Sequence, residues 1–481
     1  MICNTHRWPI YYDTNMQNQT IAAIATALSN SGIAIIRVSG DDAITIVDRV
    51  FKSKSGKRLS DVDSHTLHYG YIIENDTDVI DEVIVSVMRG PHSYTGEDVV
   101  EINTHGGVLV TKKVLKCVLK NGVVLAQPGE FSKRAFLNGK MDLSQAEAVM
   151  DIIQAENDIA TKNGISQLRG DISKKIVDIR NMLMDDISHI EAANDDPEHI
   201  IYDVFDFGLD KRVDTICCGL QNLIQSFEKG KIVRNGLNTV ILGKPNAGKS
   251  SLMNRMLGMD RAIVTDIAGT TRDSLEEGMN LGDFNLNLID TAGIRETDDK
   301  VESLGVERSR NLAEDADLIL YVIDSSVELD RSDDEIINLT VGKKMIIIYN
   351  KTDLEQAISV NELCKLLSQA GHTKDDYTVL PFSLSNDQDI SPIIDKIKEL
   401  YNLGSIGKSN EVMLTNIRHR DLVDKALVSL NNVREGIEAS VPDDMLTIDL
   451  MDAYVSLGQI IGQSVDDDLV DAVFSRFCMG K

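Results

Sequence analysis

A glycine-rich loop between a short apolar run and a segment of helical periodicity constrains the fold more than any other feature of the chain. The loop 243–250 reads Gly-Lys-Pro-Asn-Ala-Gly-Lys-Ser and follows the run Thr-Val-Ile-Leu at 239–242. A strand, a glycine loop and a helix N-terminus in this order bind phosphate, because backbone N–H groups and the helix dipole favour an anion. We expect Lys249 to reach the β- and γ-phosphates and Ser250 to bind Mg²⁺. Taken alone, the loop fits either ATP or GTP.

Three further motifs follow in the order that a guanine-nucleotide switch requires, each directly after a strand-like run. They are Asp-Thr-Ala-Gly at 290–293, Asn-Lys-Thr-Asp at 350–353 and Ser-Leu-Ser at 383–385. The first is expected to support the Mg²⁺ shell and the γ-phosphate. The carboxylate of Asp353 matches the two adjacent N–H donors of guanine and not the edge of adenine. The four motifs together predict a GTP site at the carboxyl ends of strands in an α/β sheet.

A candidate switch loop lies between the first two motifs. Residues 265–273 read Thr-Asp-Ile-Ala-Gly-Thr-Thr-Arg-Asp, and Thr271 is the expected Mg²⁺ ligand among them. Ras-like proteins place a Gln directly after the Asp-x-x-Gly motif to orient the attacking water, but this chain has Ile294 there. Another residue must therefore orient the water. Either one of the carboxylates that follow does so, or they form a solvated acidic loop: Glu296, Asp298, Asp299 and Glu302.

Length, charge and cysteine usage indicate a cytoplasmic protein of about three domains. The six cysteines show no paired metal spacing, and no apolar run approaches the roughly 20 residues of a membrane span. We therefore expect a reducing compartment and no membrane insertion. The formal net charge of −27 opposes the wrapping of a polyanion over a broad surface. Any contact with RNA must be local or shared with a partner.

The hydrophobic pattern changes along the chain. Residues 20–142 mix short apolar runs with one helix-like segment at 108–119, which predicts an α+β domain. Helical spacing dominates residues 143–231 and returns after the predicted GTP site. Either one helical bundle is built from both flanks around an inserted domain, or two small bundles exist. The apolar positions that predict long helices are Ile172, Ile176, Ile179, Leu183, Ile187 and Ile190, then Leu422, Ala426, Leu430 and Val433, then Leu469, Val473 and Phe477.

The chain ends in Phe-Cys-Met-Gly-Lys at 477–481. A prenylation signal is excluded, because Met479 and Gly480 are not the two aliphatic residues that it requires. The remaining interpretations are a frayed end that carries an incidental thiol and a tail that docks into a pocket and forms part of a site.

Over almost its whole length the chain resembles the MnmE (TrmE) family of tRNA-modifying GTPases. The resemblance rests on the loop 243–250, the switch 265–273, the stretch 128–140 and the terminal Cys-x-Gly-Lys. It implies a multidomain fold of α+β, all-α and α/β parts: an N-terminal folate-binding α+β domain, a discontinuous helical bundle and an inserted Ras-like P-loop G domain. The implied boundaries are 1–17 for an unstructured N-terminal extension, 18–142 for the tetrahydrofolate-binding and dimerisation domain, 143–235 and 406–481 for the two helical segments, and 236–405 for the G domain.

The resemblance also implies specific site residues. Folate contacts fall on Arg37, Glu101, Lys140 and Lys481, and the catalytic residues are Glu302, which orients the water, and Cys478. Mg²⁺ is assigned to Ser250 and Thr271, and K⁺ to Asn246, Thr265, Ile267 and Thr270. The motifs and the resemblance together assign GTP contacts to Asn246, Ala247, Gly248, Lys249, Ser250, Ser251, Thr265, Asp266, Ile267, Ala268, Gly269, Thr270, Thr271, Asp290, Thr291, Ala292, Gly293, Asn350, Lys351, Thr352, Asp353, Ser383, Leu384 and Ser385.

The implied activity is a K⁺-activated GTPase that acts in modification of the tRNA wobble uridine. The implied one-carbon donor for the 5-carboxymethylaminomethyl group is 5,10-methylenetetrahydrofolate or 5-formyltetrahydrofolate. The implied partners are a second copy of the chain, in a homodimer, and the flavoprotein MnmG (GidA), in a heterotetramer that acts on tRNA. The alternative is a regulatory GTPase that binds RNA or ribosomes and performs no one-carbon chemistry.

Overall fold

A computed structural model describes residues 19–75, 78–195, 208–258, 277–289, 313–314, 316–386, 389–401, 403 and 413–481. The chain divides into two compact units, each discontinuous in sequence. The first contains the described residues up to Met150 together with Leu168–Asp185 and Met451–Lys481, and the second contains Asp151–Gln167 and the described part of Asp186–Leu450. Elements are numbered below in chain order.

The first unit is built on a seven-stranded sheet with the strand order β3-β4-β5-β6-β2-β1-β7. All neighbours pair antiparallel except β1 and β7, which are parallel. In the register of β2 and β6, Arg37 lies directly opposite Glu101. The strands are β1 (Ile21–Ile24), β2 (Ala34–Ser39), β3 (Phe51–Ser53), β4 (Thr66–Glu74), β5 (Asp78–Met88), β6 (Val99–Thr104) and β7 (Val124–Leu125).

Helices α1 (Ala43–Val50) and α2 (Val108–Lys120) cover one face of this sheet. Alternate strand residues such as Val83, Val85 and Val87 point into the core, as the period of two in a strand requires. Two further helices of the unit are α3 (Glu130–Leu137) and, near the C-terminus, α14 (Asp467–Phe474). The α+β character predicted for residues 20–142 is observed here, and so is the predicted helix at 108–119.

The second unit contains a six-stranded sheet with the order β13-β12-β11-β8-β10-β9, parallel throughout except for the edge strand β9. Buried side chains form separate clusters on its two faces. The strands are β8 (Leu237–Leu242), β9 (Glu277–Asn280), β10 (Asn285–Leu288), β11 (Leu318–Asp324), β12 (Lys344–Asn350) and β13 (Tyr377–Pro381). Four helices of this α/β part are α8 (Lys249–Leu257), α9 (Arg331–Leu339), α10 (Val360–Ala370) and α11 (Ser391–Leu400).

The remaining helices carry the helical spacing that the sequence predicted. They are α4 (Leu143–Ile153), α5 (Asp158–Leu168), α6 (Asp171–Asp195), α7 (Leu209–Asn235), α12 (Ile417–Glu438) and α13 (Asp443–Ile460). All six predicted apolar positions of α6 and all four of α12 are buried, which confirms those two helices. The prediction for the last helix was wrong in register: Val470 and Phe474 are buried, whereas Leu469 and Val473 are only half-buried. That helix also ends before Phe477, which is buried beyond its end.

The mixture of α+β, helical and α/β parts is therefore observed. The boundaries between the two units fall inside α4, α5, α6 and α13. The predicted domain boundaries, the two-segment helical domain and the inserted layout stay predictions, and the predicted extension 1–17 lies outside the described residues. Of the helices that the structure describes, none has both the length and the apolar character of a membrane crossing.

One charged side chain of the first unit is buried with no carboxylate partner in the part of the chain that the structure describes. Arg180 on α6 is 7% exposed, its guanidinium stacks 3.9 Å from the centroid of the Tyr454 ring, and Nη1 donates to the Gln463 side chain. Its Nε is buried without a hydrogen-bond partner among the described residues. The approach is so close that a Cβ on Gly458 would lie 2.9 Å from Arg180 Cζ. Burial lowers the pKa of Arg180, as expected for a cation held without a counter-ion.

Replacing Gln463 with Glu should stabilise the first unit by about 1 kcal/mol, because an ion pair with a carboxylate would replace the hydrogen bond from the Arg180 guanidinium to a neutral amide. Gln463 is exposed, so the new carboxylate loses little hydration. The measurement is the midpoint of thermal unfolding. Gln127→Glu adds the same charge at another exposed glutamine of this unit and serves as the control. Equal midpoints for the two variants would contradict the expectation.

Candidate functional site

The loop predicted to bind phosphate runs from the carboxyl end of β8 to the start of α8. Gly243 has φ 146° and Gly248 has φ 114°, values that disfavour any residue with a side chain. A Cβ on Gly243 would lie 2.3 Å from Val322 O, and one on Gly248 would lie 2.4 Å from Asn350 Nδ2. Two glycines are therefore required by the packing of the loop against β11 and β12.

Lys249 lies at the first position of α8 and folds back over the loop. Its Nζ donates to Gly243 O at 2.7 Å and to Lys244 O at 2.8 Å. Burial lowers the pKa of this lysine. Among the described residues, this desolvated ammonium is held by two neutral carbonyls, so it is poised to bind a phosphate anion that enters the loop.

Asn350, the last residue of β12, joins the phosphate loop to the loop after β13. Its side-chain Nδ2 donates to Ala247 O at 2.7 Å, and its Oδ1 accepts from Leu384 N at 2.9 Å. The residue is 2% exposed, so neither bond can be replaced by water. One buried amide thus fixes the distance between the first and the fourth sequence motifs.

The third and fourth motifs are also linked at the residue expected to bind guanine. Ser383 Oγ donates to Asp353 Oδ1 at 2.5 Å, and Lys351 Nζ pairs with Asp324 Oδ2 at 2.5 Å. Burial opposes ionisation of Asp324, but hydrogen bonds from Lys351 and Ser326 outweigh it and lower the pKa of the carboxyl. The result is an ordered set of loops at the carboxyl ends of three parallel strands, the edge at which α/β sheets bind ligands.

Two further residues support these loops and were missed in the sequence. Arg255 on α8 donates from Nη2 to Leu384 O at 2.5 Å. Lys244 in the phosphate loop pairs with Asp333 at 2.7 Å and Asp330 at 3.0 Å at the start of α9, and the buried Tyr321 hydroxyl donates to Asp333. Burial opposes the charge of Lys244, but both carboxylates outweigh it and raise its pKa. These contacts join elements distant in sequence, so no local pattern could reveal them.

The structure therefore brings together the predicted GTP contacts at 246–251, 350–353 and 383–385, and Asn246 has φ 62° at the bend of the loop. The other predicted contacts with GTP, Mg²⁺, K⁺ and water lie outside the described residues: Thr265, Asp266, Ile267, Ala268, Gly269, Thr270, Thr271, Asp290, Thr291, Ala292, Gly293 and Glu302.

A second cluster of predicted residues surrounds Arg37 in the first unit. Arg37 Nε donates to Glu101 Oε1 at 2.8 Å, and Arg37 Nη1 donates to Gly480 O at 3.1 Å. The rings of Tyr94 and Phe131 lie 5.3 and 5.7 Å from the guanidinium carbon, within the range of cation–π attraction. The C-terminal tail thus docks beside Arg37 of the same chain.

The tail is held by its backbone. Phe131 N donates to Lys481 O at 3.2 Å, and Gly129 N donates to Cys478 O at 3.4 Å. Burial lowers the pKa of Lys481, and the positive charge of Arg37 adds to this effect. Cys478 is exposed, while Lys140 donates from Nζ to Pro91 O at 2.8 Å. The structure thus brings Arg37, Glu101 and the tail together, and it places the Lys140 ammonium on a separate backbone carbonyl.

A buried charge network next to this cluster was not assigned from the sequence. Arg134, which is 6% exposed, pairs with Glu97 at 3.1 Å and with Glu130 at 2.8 Å. Ser39 Oγ donates to Glu97 Oε2 at 2.6 Å. The stretch 128–140 contains Glu130 and Arg134, but Glu97 lies in the loop before β6 and Ser39 lies at the end of β2.

Comparison with known proteins identifies the family. The family model "MnmE helical domain" matches residues 143–478, and the model "GTP-binding protein TrmE N-terminus" matches residues 20–140. The chain belongs to the MnmE family. A protein of Lachnoclostridium phytofermentans described as tRNA modification GTPase MnmE is 50% identical over 97% of this chain and 100% of that protein. Proteins of the same description from Acetivibrio thermocellus and Clostridioides difficile are each 44% identical, over 97% and 96% of this chain and 100% and 99% of their own lengths.

Solved structures add no argument of their own. The G domain of the T. maritima iron transporter FeoB is 24% identical and covers 34% of this chain and 98% of that domain, with a TM-score of 0.25.

Asn350→Asp should weaken GTP binding roughly tenfold to a hundredfold. A carboxylate can still accept from Leu384 N–H but cannot donate to Ala247 O, and the two oxygens would repel each other in a buried position. Binding is measured by titration calorimetry. Asn338→Asp is the matched control, because that exposed amide donates to Asp334 O within its own helix. Wild-type affinity in Asn350→Asp would show that the amide does not set the loop geometry.

Gly480→Ala should release the C-terminal tail. Gly480 has φ 89°, and an added Cβ would lie 2.4 Å from Ile24 O. A basic-residue carboxypeptidase should then remove Lys481 at least about tenfold faster, since cleavage needs an undocked tail. Gly32→Ala, at a glycine with open space around it and no positive φ, should leave the rate unchanged. Equal rates in both variants would mean that the tail is undocked in solution.

Proposed function

We propose that this chain hydrolyses GTP and couples that hydrolysis to tRNA modification. The observation that carries the proposal is the buried amide of Asn350, which holds the phosphate loop and the guanine-binding loops in one fixed geometry. Membership of a family whose relatives are described as tRNA modification GTPases supports the tRNA part. A tRNA substrate also agrees with the cytoplasmic location predicted from the composition.

In the proposed complex, Lys249 exchanges the carbonyls of Gly243 and Lys244 for the β- and γ-phosphates. The backbone N–H groups of 246–251 surround the phosphates, and Ser250 with Thr271 would hold Mg²⁺, which supplies charge neutralisation. Asp353 accepts the two guanine N–H donors while Ser383 keeps its carboxylate in place. The predicted contacts at 265–271 and 290–293 complete the site.

For hydrolysis, we propose that Glu302 orients the attacking water, since Ile294 occupies the position of the Ras-like Gln. Asn246, whose φ is 62°, would contribute to a K⁺ site together with Thr265, Ile267 and Thr270. A bound K⁺ would neutralise charge on the transferring phosphoryl group. Association of two G domains would complete each site, which couples turnover to dimerisation.

For the one-carbon chemistry, we propose that the cluster around Arg37 binds a reduced folate, either 5,10-methylenetetrahydrofolate or 5-formyltetrahydrofolate. Glu101 offers a carboxylate to paired N–H donors of the pterin ring, and Lys481 offers a partly desolvated cation to the carboxylate tail. Cys478 is exposed within this cluster and is the proposed catalytic thiol. Lys140 would have to leave Pro91 O to contact the same ligand.

We infer that the chain acts as a homodimer and with the flavoprotein MnmG in a heterotetramer that forms the 5-carboxymethylaminomethyl group of uridine. An apolar patch on the outer face of β4 and β5 supports self-association: Leu67, Tyr69 and Ile84 are 71%, 49% and 44% exposed, and Tyr69 and Ile84 are directly paired. The net charge of −27 makes it reasonable that the partner supplies most of the contact with tRNA.

Asp353→Asn should weaken use of GTP roughly a hundredfold or more and favour xanthosine triphosphate, in which an acceptor replaces a guanine donor. Asn can still accept from Ser383, so the loop should keep its geometry. With MnmG, folate and tRNA present, the formation of modified uridine should show the same shift from GTP to xanthosine triphosphate. The yield of modified uridine is measured by nucleoside mass spectrometry.

Asp375→Asn replaces an exposed Asp elsewhere in the same unit and should retain GTP preference. If Asp353→Asn keeps the GTP preference, the guanine-binding assignment is wrong. If hydrolysis changes its nucleotide while tRNA modification does not, the two activities are not coupled.

A further inference from the structure

The hairpin formed by β9 and β10 connects the two predicted switch segments in sequence. Strand β9 begins at Glu277, shortly after the segment 265–273, and β10 ends at Leu288, two residues before the motif 290–293. Four residues of each strand pair antiparallel, so the hairpin is a short stiff unit. A displacement of either switch segment would therefore reach this hairpin through a few residues of covalent chain.

The hairpin is bound through side-chain amides to the loop between α4 and α5. Asn285 Nδ2 donates to Glu156 Oε2 at 2.6 Å, and Asn280 Nδ2 donates to Glu156 O at 2.5 Å. Asn280 is itself oriented, since its Oδ1 accepts from Gly282 N at 2.7 Å. Asn285 is 6% exposed, so its amide points at Glu156 from a buried position on β10. Glu156 thus accepts one bond from each strand of the hairpin.

This loop and the last turn of α4 contact both points at which the chain enters and leaves the α/β part. Asn157 Nδ2 donates to Val233 O at 2.9 Å, at the end of α7 and just before β8. Asp151 pairs with Arg234 at 2.7 Å and accepts a 3.5 Å bond from Thr415, which precedes α12. Segment 151–157 therefore contacts the hairpin, the end of α7 that precedes β8, and Thr415, which precedes α12.

This junction has room to rearrange. A cavity of about 110 Å³ lies beside the ion pair and is lined by residues that include Asp151, Asn163, Arg234 and Thr415. Close-packed interiors resist displacement, whereas a polar cavity allows small shifts of the groups around it. The hydrogen bonds of Glu156, together with the bond from Asn287 Nδ2 to Asn235 O at 2.8 Å, join the hairpin to this junction.

We propose that Glu156 is a positioning residue that transmits movement of the β9–β10 hairpin to α4 and to both chain junctions. The proposal rests on the proposed GTPase function and adds the contact that couples it to the helices. Loss of the contact should leave basal hydrolysis intact, because neither Glu156 nor Asn285 belongs to the proposed nucleotide site. Without the contact, GTP hydrolysis should proceed but segment 151–160 should no longer move with it.

The test exchanges donor and acceptor across the contact in the full-length protein. Asn285→Asp places two carboxylates face to face and should break the bond, whereas combining it with Glu156→Gln restores a bond of reversed polarity. Hydrogen exchange is measured with and without a non-hydrolysable GTP analogue. In the wild type, binding should change exchange at 151–160 at least about threefold. The change should vanish in Asn285→Asp and return in the double variant.

If the contact only stabilised the fold, Asn285→Asp would lower the stability of the protein. It would leave the difference in hydrogen exchange between the free and the nucleotide-bound protein in place. Persistence of the difference in Asn285→Asp, or its absence from the wild type, would overturn the proposal. If Asn285→Asp does not fold, Asn280→Ala, which removes the second bond, should reduce the difference by at least about half. An undiminished difference in Asn280→Ala would then overturn the proposal.

Failure of the proposed GTPase function is recognised separately. The same experiment reports protection of α8 beside the phosphate loop, and wild-type protein that shows no protection there does not bind GTP at the proposed site. Protection of α8 with unchanged exchange at 151–160 refutes only the role of Glu156. Asn338→Asp should behave as the wild type at both places.

Discussion

The nucleotide-site geometry depends on one buried amide. Asn350 uses its donor on the phosphate loop and its acceptor on the loop after β13, and 2% exposure leaves neither group an alternative partner in water. An Asn side chain can satisfy both bonds only in one orientation, so the two loops are held at a fixed separation. The pairing of Arg255 with Leu384 and of Lys244 with Asp333 then holds the same loops from their outer sides.

The first unit holds several charged side chains close together. The sheet register places Arg37 opposite Glu101, and two aromatic rings cover the guanidinium. Arg134 forms a second charged layer with Glu97 and Glu130. Arg37 and Arg134 each have a carboxylate partner, which offsets the cost of burying them. A backbone carbonyl of the C-terminal tail also accepts a hydrogen bond from Arg37. The last residues of the chain therefore belong to the cluster around Arg37 on β2.

The second unit connects its nucleotide loops to its helices through polar contacts at chain junctions. The hairpin reaches Glu156 through two amide donors, and the neighbouring Asn157 and Asp151 hold the outgoing and returning chain. Hydrogen bonds are directional, so a displacement of the hairpin would change the geometry of its bonds to Glu156. The cavity beside the ion pair leaves this junction free to respond.

The sequence by itself determined the local features. Glycine spacing identified the phosphate loop, apolar spacing identified α6 and α12, and strand-like runs correctly preceded the motifs at 350–353 and 383–385, because these signals depend on backbone geometry and on the period of a single element. The register of α14 was wrong, since the side chains that pack around it and not its own period decided which face is buried. Only the tertiary structure revealed Lys244 with Asp333, the Arg134 network and the contacts of Glu156, and only it decided between a frayed and a docked C-terminal tail. Apart from the pair of Arg134 with Glu130 within one helix, those interactions join residues that are distant in sequence, and a hydrogen bond between distant residues leaves no trace in the spacing of either segment.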